Sequence, residues 1–66
     1  MQNPLDNGCR PNNYYGVSQA AAMLGVSRPT IYKYIKDGFL KQSWHKTLMK
    51  SLIKGTEIIK FHNSIS

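Results

Sequence analysis

The chain has 66 residues, and its nine lysines and arginines outnumber three aspartates and glutamates to give a net charge of +6. A chain this short forms one small domain, which buries only about 60% of the surface that its unfolded form exposes. That size excludes a deep catalytic pocket and a separate regulatory domain. Except for Arg10, all the basic residues lie from Val17 onward. Such a one-sided excess of positive charge is typical of a protein that binds a polyanion.

The residue types needed for catalysis or metal binding do not come together in this sequence. The only cysteine, Cys9, cannot form an internal disulfide, which is consistent with a reducing compartment. His45 and His62 have no partners at the spacing of a metal site. No apolar run is long enough to cross a bilayer, and no secretory signal is present. We therefore expect a cytoplasmic protein that is not an enzyme, uses no metal or cofactor and has no membrane partner.

The first segment, residues 1–13, is rich in asparagine, contains Pro4, Gly8 and Pro11, and shows no apolar period. This composition predicts a flexible N-terminal arm. We expect the ordered domain to begin at Tyr14.

Residues 18–35 predict two short helices joined by a tight turn, which is the layout of a helix-turn-helix. Ser18 is a good N-cap for the first helix, and Gly25 can adopt the left-handed conformation that ends it. Ser27 can cap the second helix, and Pro29 falls in its first turn, where a missing N–H has no consequence. The apolar residues of the second helix share one inward face: Ile31, Tyr34 and Ile35.

The other face of this second helix carries side chains suited to nucleic acid: Ser27, Arg28, Thr30, Tyr32, Lys33 and Lys36. The first turns of such a helix reach base edges in the major groove. Arg28 can form a bidentate contact with guanine, and Thr30 offers both a hydroxyl and a methyl group. Tyr32 can bind a phosphate through its hydroxyl, while Lys33 and Lys36 can neutralise phosphates.

The residues themselves leave two interpretations open for residues 43–61. In the first, Ser43 caps a helix that Gly55 ends, because apolar residues follow at helical spacing. In the second, residues 39–44 and 48–53 are antiparallel strands joined by a turn at residues 45–47, and Thr56 caps a last short helix. In either case we expect Trp44, the only tryptophan, to lie in the core.

The segment from Tyr15 to Phe61 resembles the winged helix-turn-helix domain of small phage excisionases and of the mercury-resistance-regulator (MerR) superfamily. The matching residues are Val17-Ser18-Gln19-Ala20-Ala21, Leu24-Gly25-Val26-Ser27-Arg28, Thr30-Ile31-Tyr32-Lys33, Ile35-Lys36-Asp37-Gly38, Leu40, Leu52-Ile53-Lys54-Gly55-Thr56-Glu57-Ile58 and Phe61. The resemblance implies a mainly α fold with a small β-wing: two helix-turn-helix helices, a two-stranded wing and a short C-terminal helix. The expected domain spans residues 14–63 and is followed by a tail, residues 64–66.

The resemblance also implies a function, namely sequence-specific binding of double-stranded DNA by a small phage or mobile-element protein. Such a protein would act as an excisionase-like architectural factor, as a transcriptional regulator, or as both. The wing would place His45, Lys46 and Lys50 near the groove that flanks the helix. Copies of the chain would associate cooperatively on DNA, and an integrase would be a further partner. The alternatives are a basic interaction module that binds an acidic protein, and the DNA-binding part of another phage function such as DNA packaging.

Overall fold

The computed structural model describes residues 2–65, with side chains described as far as residue 64. After a short 3-10 helix at Pro4–Asn7, the elements are β1 (Tyr14–Tyr15), α1 (Val17–Leu24), α2 (Arg28–Lys36), β2 (Ser43–His45), β3 (Lys50–Lys54) and α3 (Gly55–Ile65). The expected class, mainly α with a small β-wing, is confirmed. Within residues 2–65, none of the helices has the length and apolar character needed to cross a membrane.

The turn between α1 and α2 forms for the reasons that the sequence suggests. Gly25 adopts a left-handed conformation with φ 72° and ends α1. Ser27 precedes α2 in an extended conformation, and Pro29 lies in the first turn of α2. The predicted cap at Ser18 is wrong, because α1 begins after Gly16. There the Gly16 N–H donates to Oε1 of Gln19 at 3.0 Å.

The core lies where α1, α2, β3 and α3 meet. Its completely buried apolar side chains include Leu24, Ile31, Leu40, Ile53 and Ile58. At its edge, the ring of Tyr34 in α2 lies 4.5 Å from the ring of Phe61 in α3. The inward face of α2 therefore packs against the core and against α3. The opposite face of the helix is left in solvent.

The sheet has three antiparallel strands in the order β1-β3-β2, so it contains the predicted two-stranded wing and one strand more. β2 and β3 form the wing, with Trp44 opposite Ser51. The additional strand, β1, pairs Tyr15 with Ile53 on the other side of β3. A strand of two residues is too short to produce an alternating pattern, so its pairing becomes visible only in the folded chain.

The wing hairpin contradicts the helical interpretation of residues 43–54 and places several apolar residues outside. Trp44 is 59% exposed, so its predicted place in the core is wrong. Leu48 and Met49 lie in the turn between β2 and β3 and are also exposed. Met49 has a positive φ of 54°, and its N–H donates to the carbonyl of Lys46 at 3.3 Å. A left-handed conformation costs a residue with a side chain about 1–2 kcal/mol.

The N-terminal segment packs against the domain, which differs from the predicted flexible arm. Pro4 and Cys9 are completely buried. The backbone N–H of Gln2 donates to the carbonyl of Leu24 at 2.9 Å, at the end of α1. Asn7 donates from Nδ2 to the carbonyl of Met23 at 2.8 Å. These bonds satisfy carbonyls that the end of a helix leaves without partners.

The same segment also caps α3. The N–H groups of Gly55 and Thr56 donate to the carbonyls of Asn13 and Pro11, at 2.8 and 3.2 Å. Met1 of the predicted arm lies outside the described residues. At the other end, α3 continues to Ile65, beyond the predicted domain end at residue 63. Of the predicted tail, Ser66 lies outside the described residues.

The burial of Cys9 leads to a testable expectation. Its thiol is completely buried, and this burial raises the pKa of the Cys9 thiol. The folded state therefore favours the neutral thiol, and its contribution to stability is lost as the pH rises above the ordinary thiol value of about 8.5. We expect iodoacetamide to label Cys9 much more slowly in buffer than in urea. The stability of the wild type should also fall more steeply than that of Cys9→Ala between roughly pH 8 and pH 10, the range around the ordinary thiol pKa. Equal labelling rates in the two solvents would contradict this packing.

Candidate nucleic-acid interface

An open groove of about 600 Å³ separates α2 from the wing. Its walls come from the start of α1, the outer side of α2 and the first half of β3. The lining residues are Gly16, Val17, Ser18, Gln19, Arg28, Tyr32, Gln42, Lys50, Ser51 and Leu52. Arg28 and Tyr32 therefore line the groove together with Lys50, although the wing lies far from α2 in the sequence.

The outward face of α2 is the surface that the sequence predicts. Arg28, Tyr32 and Lys36 follow one another at four-residue spacing, which places them in one row along the helix. All three are exposed, as is Lys33 beside them. Tyr32 exposes 57% of its surface. The row is exposed because α2 packs on the core through its opposite side, where Ile31 is buried.

Ser27 and Thr30 do not line the groove but contact each other. Their hydroxyl oxygens are 2.8 Å apart and share a hydrogen bond. Ser27 lies at the predicted N-cap position of α2, but its side chain makes no hydrogen bond to the backbone of the helix, so the predicted side-chain cap is wrong. Thr30 is half-buried, whereas Ser27 is exposed. The pair fixes the first turn of α2, next to Arg28.

On the wing, the three predicted residues have different surroundings. Lys46 is exposed in the turn, and Lys50 is exposed beside the groove. His45 is half-buried instead, with its ring centre 4.4 Å from that of Tyr14 in an edge-to-face arrangement. Its Nε2 is buried and makes no hydrogen bond to any residue in the described part of the chain. His45 thus packs on β1 and holds the wing against the domain.

Residue pairing explains how His45 and Tyr14 meet. Residues directly opposite in a sheet share a face, and alternate residues of one strand do the same. Tyr14 lies opposite Lys54 and His45 opposite Lys50, so both side chains are on the face that also carries Leu52. Leu52 is 6% exposed but is not part of the main core cluster. This outer face therefore has a small apolar cluster of its own.

Sequence reasoning did not find the remaining polar residues of the groove, Gln42 and Ser51, or the start of α1 as one of its walls. Gln42 and Ser51 carry no charge and fit no motif, so nothing in the sequence marks them. The start of α1 could have been recognised, because the first N–H groups of a helix are free to bind anions.

Two walls of the groove carry positive charge, from Arg28 on α2 and from Lys50 on β3. Between Asp37 and Glu57 the sequence has no carboxylate but has the four lysines Lys41, Lys46, Lys50 and Lys54. Arg28, Lys33 and Lys36 add to this from α2. The arrangement creates a positive field on both sides of the groove. Within residues 2–65, no three His, Cys, Asp or Glu side chains come together in a way that could hold a metal ion.

Comparison with known proteins agrees with this geometry. Residues 14–64 match the family model described as "Helix-turn-helix domain". Comparisons with curated proteins and with solved structures gave no significant match. The matched residues include α1, α2, the wing and nearly all of α3, which is most of the chain. The chain therefore belongs to the helix-turn-helix domain family and is a DNA-binding protein.

Proposed function

We propose that the protein binds specific sequences of double-stranded DNA, with α2 in the major groove and the wing on the flanking groove. It would serve a phage or mobile element as an excisionase-like architectural factor, a transcriptional regulator, or both. The observation that carries this proposal is the joint lining of one open groove by Arg28, Tyr32 and Lys50.

The position of Arg28 supports a role in reading sequence. It is the first residue of α2 and is exposed. When a helix lies in the major groove, its N-terminal residues contact base edges. The guanidinium group can then pair with the two acceptors of guanine, which a lysine ammonium cannot do in the same geometry.

The other basic and hydroxyl groups suit the sugar-phosphate backbone. Tyr32 and Lys50 lie on two walls of the groove, while Lys33, Lys36 and Lys46 are exposed outside it. Contacts of this kind set the register and the salt dependence of binding, but they carry little sequence information. In this proposal His45 positions the wing through Tyr14.

The size of the molecule limits what one copy can recognise. Its longest dimension is 33 Å, close to the length of one turn of DNA, roughly 34–36 Å. One copy therefore spans at most about one turn of DNA, roughly 10 base pairs, and useful specificity requires several copies on repeated sites. We propose cooperative binding of such copies, with an integrase as a further partner where the function is excision.

Selection from a pool of random duplexes tests this proposal directly. The full chain should enrich a short shared sequence and bind it more tightly than a scrambled duplex, as measured by fluorescence anisotropy. Affinity should fall by about 0.9 log units per log unit of salt for each phosphate contacted. Absence of duplex binding even at low salt would contradict the proposal and would favour an acidic protein as the partner. Footprinting on the native genome would then distinguish protection at an attachment site from protection at a promoter.

Replacing Lys50 tests the contribution of the wing. Lys50→Ala should weaken binding to every duplex by a similar factor and reduce the salt slope by about 1, because one phosphate contact is lost. The matched control is Lys60→Ala, since Lys60 is exposed on α3 and does not line the groove. An equal effect of the two changes would show that only net charge matters and that the wing makes no contact.

A further inference from the structure

The end of the wing exposes apolar side chains that the proposed backbone contacts do not use. Trp44 is 59% exposed, Leu48 is 55% exposed and Met49 is 73% exposed. All three belong to the hairpin of β2 and β3, and we call them the apolar wing tip. Large apolar groups that are exposed on one short hairpin of a small protein suggest a surface that another molecule covers.

Charge indicates which kind of molecule covers this surface. Lys46 and Lys50 flank Leu48 and Met49, and the sequence has no carboxylate between Asp37 and Glu57. In the absence of DNA, a second copy would bring its own net charge of +6 against these lysines and be repelled. A duplex would instead be attracted, since its phosphates carry the opposite charge.

Part of the apolar wing tip directly precedes groove residues in the chain. Lys50, Ser51 and Leu52 line the groove and follow Met49 directly in the chain. A duplex that contacts Lys50 therefore passes next to Met49. The apolar side chains are then beside the flanking minor groove rather than on a remote face.

The backbone conformation of Met49 supports the same conclusion. Its φ of 54° is a conformation that favours glycine. Such strain tends to persist where the side chain has a function. Glycine at this position would relax the turn but would remove the apolar group. Methionine therefore makes the turn less stable but provides an exposed thioether side chain.

We infer that Leu48 and Met49 act as an apolar wedge, which enters the flanking minor groove between two base pairs and kinks the duplex, with Trp44 packed against the opened bases. This inference rests on the proposed function, since it requires that α2 and the wing bind the same duplex. Apolar side chains used in this way unstack one base step and bend DNA toward the major groove. The step they enter should be a flexible pyrimidine–purine step such as TA.

The experiment uses the full chain and the duplex that it selects from the random pool. Donor and acceptor dyes at the two duplex ends report bending, and anisotropy reports affinity. The only tryptophan of the chain, Trp44, reports stacking through its own fluorescence. We expect the wild type to shorten the end-to-end distance and to lose Trp44 fluorescence on binding. Leu48→Ser and Met49→Gly should bind within about tenfold of the wild type but lose most of the bend.

Two controls make the result specific. Leu5→Ser removes a leucine of similar exposure, 47%, from the 3-10 helix and should leave bending unchanged. Met49→Gly should melt at the same temperature as the wild type or a higher one, which separates loss of bending from loss of folding. Binding without bending or Trp44 quenching in the wild type would overturn the wedge while leaving the proposed function intact. Self-association of the free protein that Leu48→Ser abolishes would overturn it in favour of a protein contact. Absence of any duplex binding in anisotropy would overturn both.

Discussion

Replacing Gly55 by alanine should destabilise the domain by about 3 kcal/mol, near the upper end of what overpacking costs. Gly55 is buried at the first position of α3. A Cβ there would overlap the carbonyl oxygen of Arg10 and lie 2.7 Å from its carbonyl carbon and 3.1 Å from Cα of Pro11. These neighbours are backbone atoms, so no flexible side chain can move aside. The loss is large for a domain whose stability is expected at about 0.05–0.15 kcal/mol per residue.

The sign of this effect makes the experiment decisive. Helix propensity alone would make alanine more favourable than glycine by about 1 kcal/mol. Urea unfolding of Gly55→Ala should nevertheless show the lower midpoint, with Asn63→Ala, at an exposed position of α3, as the control that keeps its stability. If Gly55→Ala were as stable as the wild type, residues 10–13 would not lie against α3.

Replacing Arg28 by alanine should have the largest effect on DNA binding. On the selected duplex the loss should be about 1–3 kcal/mol if the guanidinium group reads a guanine, which corresponds to roughly 5- to 150-fold in affinity. Because Arg28 is exposed, the melting temperature should not change. Binding to duplexes altered at one position after another, measured by anisotropy, should show reduced discrimination at a single base pair.

Arg28→Lys is the informative companion variant. It keeps the positive charge but lacks the planar fork that binds two acceptors at once. We expect its salt slope to match the wild type while discrimination at the same base pair is lost. Equal weakening of all duplexes in both variants would instead identify Arg28 as a phosphate contact.

The helix-turn-helix half of the fold could be predicted because each residue in it has a local reason for its place. Gly25 ends α1 with a positive φ, and Pro29 lies in the first turn of α2. Ile31 is completely buried, as its spacing suggests. These choices depend only on neighbours in sequence, so they are visible before folding.

The wing was harder to predict because its apolar residues mimic a helical period. Leu48, Met49, Leu52 and Ile53 fit a helix by spacing, but the first two are exposed in the turn. Leu52 and Ile53 are both buried although they lie on opposite faces of β3: Leu52 shares a face with Tyr14 and His45, and Ile53 belongs to the core. A strand covered on both sides does not alternate, so its pattern resembles that of a helix.

The N-terminal segment shows a different kind of limit. Its asparagines, prolines and glycine are typical of a flexible chain, yet Pro4 and Cys9 are completely buried. Apart from the side chain of Asn7, which donates to the carbonyl of Met23, its other anchors are backbone groups, such as the carbonyls of Pro11 and Asn13 that cap α3. Backbone hydrogen bonds between distant segments leave no signature in residue types, so this docking could not be predicted.

For the interface, charge and helix phase sufficed to select Arg28 and Tyr32, and the resemblance to winged domains added Lys50; the structure brings all three to one groove. They did not suffice for His45, because nothing in its sequence neighbourhood indicates that Tyr14 lies against its ring. The DNA contact of His45 stays a prediction, and in the structure its ring packs on Tyr14.

The central place of β3 has a mechanical consequence. β3 pairs with β1 on one side and β2 on the other, and it continues into α3 without an intervening loop. The wing hairpin is thus firmly attached to the rest of the domain. It has little conformational freedom left to lose when a ligand binds. Amide hydrogen exchange at Ile53 should consequently be among the slowest in the chain, even in free protein. A force applied to the wing hairpin would be transmitted to α3, and from α3 to the N-terminal segment that packs against it.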